Sequence, residues 1–432
     1  MIGFLRIIGL LFICSPVAAE VDIQEIVSPG GINAWLVQEE SIPFVALEIR
    51  FKGGTSLDEP GKRGAVNLMT ALLEEGAGDI DAREFARRSE ELAASYAFGA
   101  GADFLRVSAR FLSENQDHAI ELLRMALREP RFEEPAIERV RAQVITSINA
   151  SAKSPNSIAG NTFYAEAYGV HPYGTNDSGA LESVAGLRRA DLVEAYRSAF
   201  SRDRLFVAAA GDISAQELGN ILDNLFAGLP EKGPNLPDQT INKLGTGVRV
   251  VEFETPQSVA IFGHQGIDRH DDDFFAAFIL NHILGGSNFG ARLNQEVREK
   301  RGLTYGISSH LSSREYGDLY VGQVASSNGQ IAEAISVIRE VWSDVAENGV
   351  SQEELDHAKT FLTGAYPLRF DGNARIASIL VGMQVTGLEP EYIRSRNEKV
   401  LAVTLEDIRR VARRILRPDD LYFVVVGKPE GL

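Results

Sequence analysis

The chain has 432 residues, 44% of them hydrophobic, 24% charged and 8% aromatic, which excludes a disordered or fibrous protein. Asp and Glu (60) outnumber Lys and Arg (43), a formal charge of −17, so non-specific binding to nucleic acid or anionic membrane is not expected. The single cysteine, Cys14, excludes both a disulfide framework and a cysteine-ligated zinc site.

The chain opens with one basic residue, Arg6, an apolar run from Ile7 to Cys14, and small side chains at Val17, Ala18 and Ala19. This pattern predicts a cleaved secretory signal peptide over 1–19 and a periplasmic mature chain. The run is too short to span a bilayer, and no later stretch is long enough for stable membrane insertion. Phe12 and Ile13 ahead of Cys14 do not suit a lipoprotein signal, although anchoring through Cys14 stays open. Cleavage removes Cys14, and a thiol-free chain suits an oxidising compartment.

In the mature chain, strands are predicted at 33–38, 45–52 and 104–111, and helices at 64–75, 82–94, 115–127 and 134–152. Leu192, Ala195, Tyr196 and Ala199 then recur at helical spacing ahead of a buried strand over 205–210. Pro230, Pro234 and Pro237 mark a stiff linker, which divides a first domain (20–226) from a second (249–432) across 227–248. The second domain is expected to hold strands at 248–252, 259–265, 305–311 and 317–325 and helices at 274–284, 290–300, 329–348 and 352–366. Ile408, Val411, Ala412 and Ile415 repeat the helical spacing before a last strand, 421–426.

That last helix and strand echo the end of the first domain. Asp191 aligns with Asp407, Leu205 with Leu421 and Gly211 with Gly427, all at one constant offset, so a whole domain has been duplicated. Strand runs with interspersed helix pairs predict an α+β fold of two homologous domains, each a mixed, mostly antiparallel sheet packed against helices. No glycine-rich nucleotide signature lies between a strand and a helix.

The stretch Gly53-Gly54-Thr55-Ser56-Leu57-Asp58-Glu59-Pro60-Gly61-Lys62-Arg63-Gly64, followed by an apolar helix ending Glu74-Glu75-Gly76, resembles the opening of the pitrilysin, insulin-degrading enzyme and mitochondrial processing peptidase family of zinc peptidases. The resemblance covers nearly the whole mature chain. In that family the helix carries His-x-x-Glu-His, two imidazoles on one face sharing a zinc with a glutamate to activate water. Here the register reads Asn67-Leu68-Met69-Thr70-Ala71, and the count to the family's third ligand, a glutamate, from Glu138-Arg139-Val140-Arg141 reaches Ser147. All four positions are changed, so no metal or other cofactor is expected in this chain. The seven histidines offer no pair spaced to share a helix face.

The second half resembles the family more fully. Leu284-Gly285-Gly286-Ser287-Asn288-Phe289-Gly290 leads to Arg298 and, seven residues on, Tyr305, matching the family's arginine and tyrosine that reach toward the zinc site. Arg298 is expected on a last helical turn, Gly302 as the helix breaker and Tyr305 at the start of a strand. A guanidinium and a phenol aimed at a peptide carbonyl can hold substrate and stabilise a developing oxyanion. Gly285, Gly286 and Asn288 are the candidate substrate-facing loop.

The resemblance implies the non-catalytic subunit of a periplasmic heterodimeric zinc peptidase. A homologous partner with His-x-x-Glu-His would hold Zn2+ and the base, and this chain would supply Arg298 and Tyr305 for peptide substrates. The other readings are a scaffold subunit of the same fold, a stand-alone peptide-binding protein, or a homodimer when the partner is missing. Acidic charge inside such a clamshell would favour basic peptides, if that is where the excess carboxylates lie.

Overall fold

The computed structural model describes residues 22–286 and 288–432; the predicted signal peptide, with Cys14, lies outside them. The first half runs β1 (Gln24–Val27), β2 (Asn33–Gln38), β3 (Phe44–Lys52), α1 (Ala65–Thr70), β4 (Gly76–Ala77), β5 (Ile80–Asp81), α2 (Ala82–Glu91), β6 (Ser95–Ala100) and β7 (Phe104–Leu112). It continues through α3 (Gln116–Arg128), α4 (Glu134–Ser151), α5 (Pro155–Tyr168), α6 (Leu181–Gly186), α7 (Arg189–Ala199), β8 (Leu205–Gly211) and α8 (Ala215–Phe226). After a stretch without helix or strand come β9 (Gly247–Glu252), β10 (Gln257–Gln265), α9 (Phe274–Gly285), β11 (Ile307–Ser313) and β12 (Asp318–Ser327). The chain ends with α10 (Ile331–Asn348), α11 (Gln352–Gly364), α12 (Asn373–Val385), α13 (Tyr392–Ala402), α14 (Leu405–Ile415) and β13 (Tyr422–Gly427).

The duplication is visible in the strand order. The first sheet runs β1-β2-β8-β3-β7-β6 and the second β11-β12-β10-β13-β9. In each, the late strand (β8, β13) pairs parallel with an early one (β2, β9), and the remaining pairs are antiparallel. One face of each sheet carries its own half's helices. Leu47, Ile49 and Phe51 of β3 point into a core with Leu68, Leu123, Leu192 and Leu222, while Phe262 and Phe423 pack with Trp342, Leu280 and Ile408 in the second. Strand side chains alternate, so the other faces also need cover.

Each half covers the other. Ala377, Leu380 and Val381 of α12 pack on Trp35, Val37, Ala46 and Ala208 of the first sheet, and Gln384 Nε2 donates to Val207 O at 2.7 Å. In return, Ala159, Phe163 and Ala167 of α5 pack on Val259, Val424 and Val426 of the second sheet, and Tyr422 OH bonds Glu166. This exchange ties the halves together.

Three sequence expectations change. The helix foreseen over 64–75 ends at Thr70; Leu72 N and Leu73 N reach back only three residues, to Met69 O (3.1 Å) and Thr70 O (3.3 Å), so the chain tightens into turns. The helix foreseen over 290–300 is instead a π-helical turn over Asn294–Glu299, in which Lys300 N bonds Gln295 O at 2.9 Å. The strand foreseen from 305 begins at Ile307, because Thr304 Oγ1 accepts from Gly306 N (3.0 Å) and donates to Ala325 O (2.6 Å), holding 304–306 off the ladder.

Candidate functional site

Of the four positions aligned with the family's metal site, only Thr70 is fully in the interior. Gly64 enters α1 at φ +95°, and the Asp58 carboxylate accepts from Gly64 N (2.7 Å) and Val66 N (2.8 Å), satisfying two free N–H groups of the helix start. Burial pushes the Asp58 carboxyl up to about 6, against the pull of those two backbone bonds. Thr70 is 1% exposed, and its Oγ1 donates to Val66 O at 2.7 Å. Asn67 is half-buried, Ala71 offers no donor atom, and Ser147 is exposed on α4. One amide, a committed hydroxyl, a methyl and an exposed serine do not fit a zinc ion. Among the described residues there is no group of three or more His, Cys, Asp or Glu suited to a metal.

The helix foreseen over 134–152 is α4, and Arg141 on it has a structural duty. It is buried and donates from Nη1 to Val184 O and Leu187 O, each at 2.7 Å, pinning the α6 segment to α4. His264 is likewise internal: Trp342 Nε1 donates to its Nε2 at 3.0 Å, and burial lowers its pKa to about 4, so it is neutral.

The second-half candidates converge on one groove. Asn288, Arg298 and Tyr305 line a cavity of about 370 Å³ together with Phe289, Asn294, Ser308 and Gln323. Gly302, at φ +65°, turns the chain after the π-helical segment, as expected of a breaker. Arg298 sits on that segment with its guanidinium carbon 5.0 Å from the Phe289 ring centroid. Such π-helical insertions recur at functional sites because they re-aim one side chain. Tyr305 is 89% exposed and Phe289 70% exposed, so neither ring contributes to a core.

The remaining candidates frame the groove from behind. Gly285 closes α9 and is buried; a Cβ there would overlap Ser309 Oγ of β11, so the missing side chain serves close packing. Gly286 follows as the helix cap, where a Cβ would crowd His282 O. Asn288 Nδ2 donates to His282 O at 3.1 Å, satisfying a terminal carbonyl of α9, and Asn294 Nδ2 donates to Asn288 O at 3.0 Å. The two glycines and Asn288 thus set the rim on which Arg298 and Tyr305 stand. Sequence reasoning missed Phe289, although an aromatic between Asn288 and Gly290 in a turn is a residue without a core role.

A duplicated α+β fold with no His, Cys, Asp or Glu on α1 and an outward Arg/Tyr pair in the second half defines a class, and comparison with known proteins gives it a family. Residues 34–178 match the profile of insulinase, peptidase family M16, and residues 186–362 match that of the peptidase M16 inactive domain. The chain belongs to the M16 (insulinase) family. The Helicobacter pylori protein named non-peptidase homolog YmxG is 24% identical over 397 residues, 91% of each chain. The Bacillus subtilis protein named uncharacterized zinc protease YmxG is 22% identical over 417 residues, 93% of this chain and 97% of its own. A crystal structure described as the peptidase M16 inactive domain from Pseudomonas fluorescens has a TM-score of 0.88 at 27% identity, covering 94% of this chain and 98% of that one. The family expected from the sequence is therefore the one found.

Proposed function

We propose that this chain is the non-catalytic subunit of a periplasmic two-chain zinc peptidase, handing substrate to a homologous partner that carries His-x-x-Glu-His. The observation that supports this most directly is the outward placement of Tyr305 beside Arg298 over one groove, while Thr70, at the position of the family's glutamate, is packed inward. In this reading Arg298 and Tyr305 donate hydrogen bonds to a peptide carbonyl at the partner's site and steady negative charge as it develops there. The similarity to a relative named a non-peptidase homolog agrees with it.

Metal analysis and peptide cleavage with the purified mature chain, then with its partner added, test the assignment. The chain alone is expected to bind no stoichiometric zinc and cleave nothing, and the pair is expected to cleave unfolded peptides. Zinc-dependent cleavage by this chain alone overturns the reading. Cell fractionation tests the location, with the mature protein expected in the periplasm and beginning at Glu20.

A further inference from the structure

The exchanged helix α12 borders two cavities, of about 840 Å³ and about 680 Å³, that share Arg375 and Ser378 and so form one trough along it. One end is walled by the outer face of β3 and β7, where strand alternation brings Arg50, Arg106 and Arg110 to the same side. The other end lies between α9, β11 and α13 and carries Arg269, Arg369 and Arg396. Against these seven guanidiniums, the two cavities are lined by only two carboxylates, Glu48 and Asp371; a third cavity beyond Arg269 carries Asp271, Asp272, Asp273 and Asp407, of which Asp271, Asp273 and Asp407 are ion-paired with Arg410 and Arg414. Glu48 is taken up in an ion pair with Arg50 at 2.8 Å. Arg106, Arg110, Arg369 and Arg375 are exposed. Their guanidiniums form no ion pair or hydrogen bond among the described residues.

In a chain of net charge −17, this concentration of cations in a crevice is an inversion of the surrounding field. A low-dielectric cleft focuses such a field and raises the local concentration of the opposite charge. Between the arginines lie aromatic faces: Arg269 stands 4.2 Å from the Phe274 centroid, and Arg396 is 5.6 Å from that of Phe278. His310 and Leu311 of β11 complete that wall, and β11 is one of the two edge strands of its sheet. An edge strand offers unpaired backbone N–H and C=O groups that an extended peptide can match and a nucleic acid or lipid cannot.

We infer that this trough docks an acidic peptide segment, with Asp and Glu side chains on the arginines and apolar side chains on the α9 aromatics. The inference rests on the peptide-handling reading above only for the kind of chain bound. It needs no partner and no catalysis.

The test is fluorescence anisotropy on the full mature chain alone, using labelled peptides of about twelve residues, long enough to follow a strand. One peptide is rich in Asp and Glu with two Phe, one has Lys in place of every acid, and a single-stranded oligonucleotide matches the acidic peptide in charge. The acidic peptide is expected to bind at least about tenfold more tightly than the basic one and to weaken with added salt. Reversing exposed charges in two independent pairs, Arg106→Glu with Arg110→Glu and Arg369→Glu with Arg375→Glu, is expected to abolish that preference, with circular dichroism confirming the fold of each. Equal binding of both peptides, affinity unchanged in the folded variants, or an oligonucleotide bound as tightly as the acidic peptide each overturns the inference. Failure of cleavage in the two-chain assay with acidic-peptide binding intact would remove the subunit assignment and leave the trough standing.

Discussion

On α1, the side chains at the family's ligand positions are spent on the fold: Thr70 is buried and bonded to the helix's own backbone, Ala71 is a methyl, and Asn67 is half-buried. Around 298–305 the opposite holds, with an arginine carried on a π-helical turn and a tyrosine 89% exposed beside it. A large aromatic ring in solvent contributes almost nothing to stability, because its apolar area is not removed from water. The contrast teaches that residue loss and residue retention leave different physical traces. Thr70 is absorbed into packing, whereas the Tyr305 ring takes no part in a core.

The most severe challenge to this contrast is to rebuild the metal site. Asn67→His, Thr70→Glu and Ala71→His together should cost about 3–5 kcal/mol, because Thr70→Glu buries a carboxylate with no partner, and should yield no stoichiometric zinc. Denaturant unfolding with metal analysis reads both; a stable, zinc-loaded variant would show that α1 had kept room for an ion.

Asp58 sharpens the same side of the comparison through pH. Burial raises its folded carboxyl to about 6 from an ordinary value of 3.8, so between those values the native state holds more protons than the unfolded chain. The associated stability is fully present below about pH 4 and is lost as pH rises through 6, at most about 3 kcal/mol by that shift. Asp318, also raised to about 6 by burial, adds a separate increment of the same sign. Urea unfolding from pH 4 to 7 should therefore show a shallower loss for Asp58→Asn than for the natural chain; parallel curves would locate the titration elsewhere.

On the other side, Arg298→Ala or Tyr305→Phe should slow cleavage by the proposed pair about 10²-fold without separating the subunits, the effect of losing one oxyanion donor. Kinetics with gel filtration separates the two effects, and unchanged turnover in both variants would return the pair to a structural role. The smallest effect concerns the rim. Gly285→Ala must displace Ser309, and overpacking of this kind is expected to cost about 1–2 kcal/mol, read as a lower thermal midpoint.

Much of this was legible in the chain. Regular periodicity located β2 within its observed bounds and α3, α4 and α10 to within a residue or two at their ends, because each buries one apolar face in its own half. The motif around Gly53–Gly64 and the Arg298/Tyr305 spacing pointed to the family that the comparisons show. The elements left unassigned were the strands β1, β4, β5 and β6 and the helices α5, α6, α8, α12 and α13. Of these, α5 and α12 cross to the opposite half. Gly160 and Gly382 interrupt them, and their apolar residues do not form one stripe that a neighbouring segment would bury.

Residue order determined that there are two copies of one α+β domain and, through the family resemblance it carries, that the first lacks the family's metal ligands while the second has an arginine and a tyrosine at the matching separation. Those are properties of residue identity and order, which no fold can change. Only the tertiary structure decided that Tyr305 stands in solvent beside Arg298, that Gly285 is there for Ser309, and that seven arginines scattered between positions 50 and 396 meet along α12 in an acidic protein. Charge acts through space rather than along the chain, so the sign of the crevice depended on which strands and helices the exchange brought face to face.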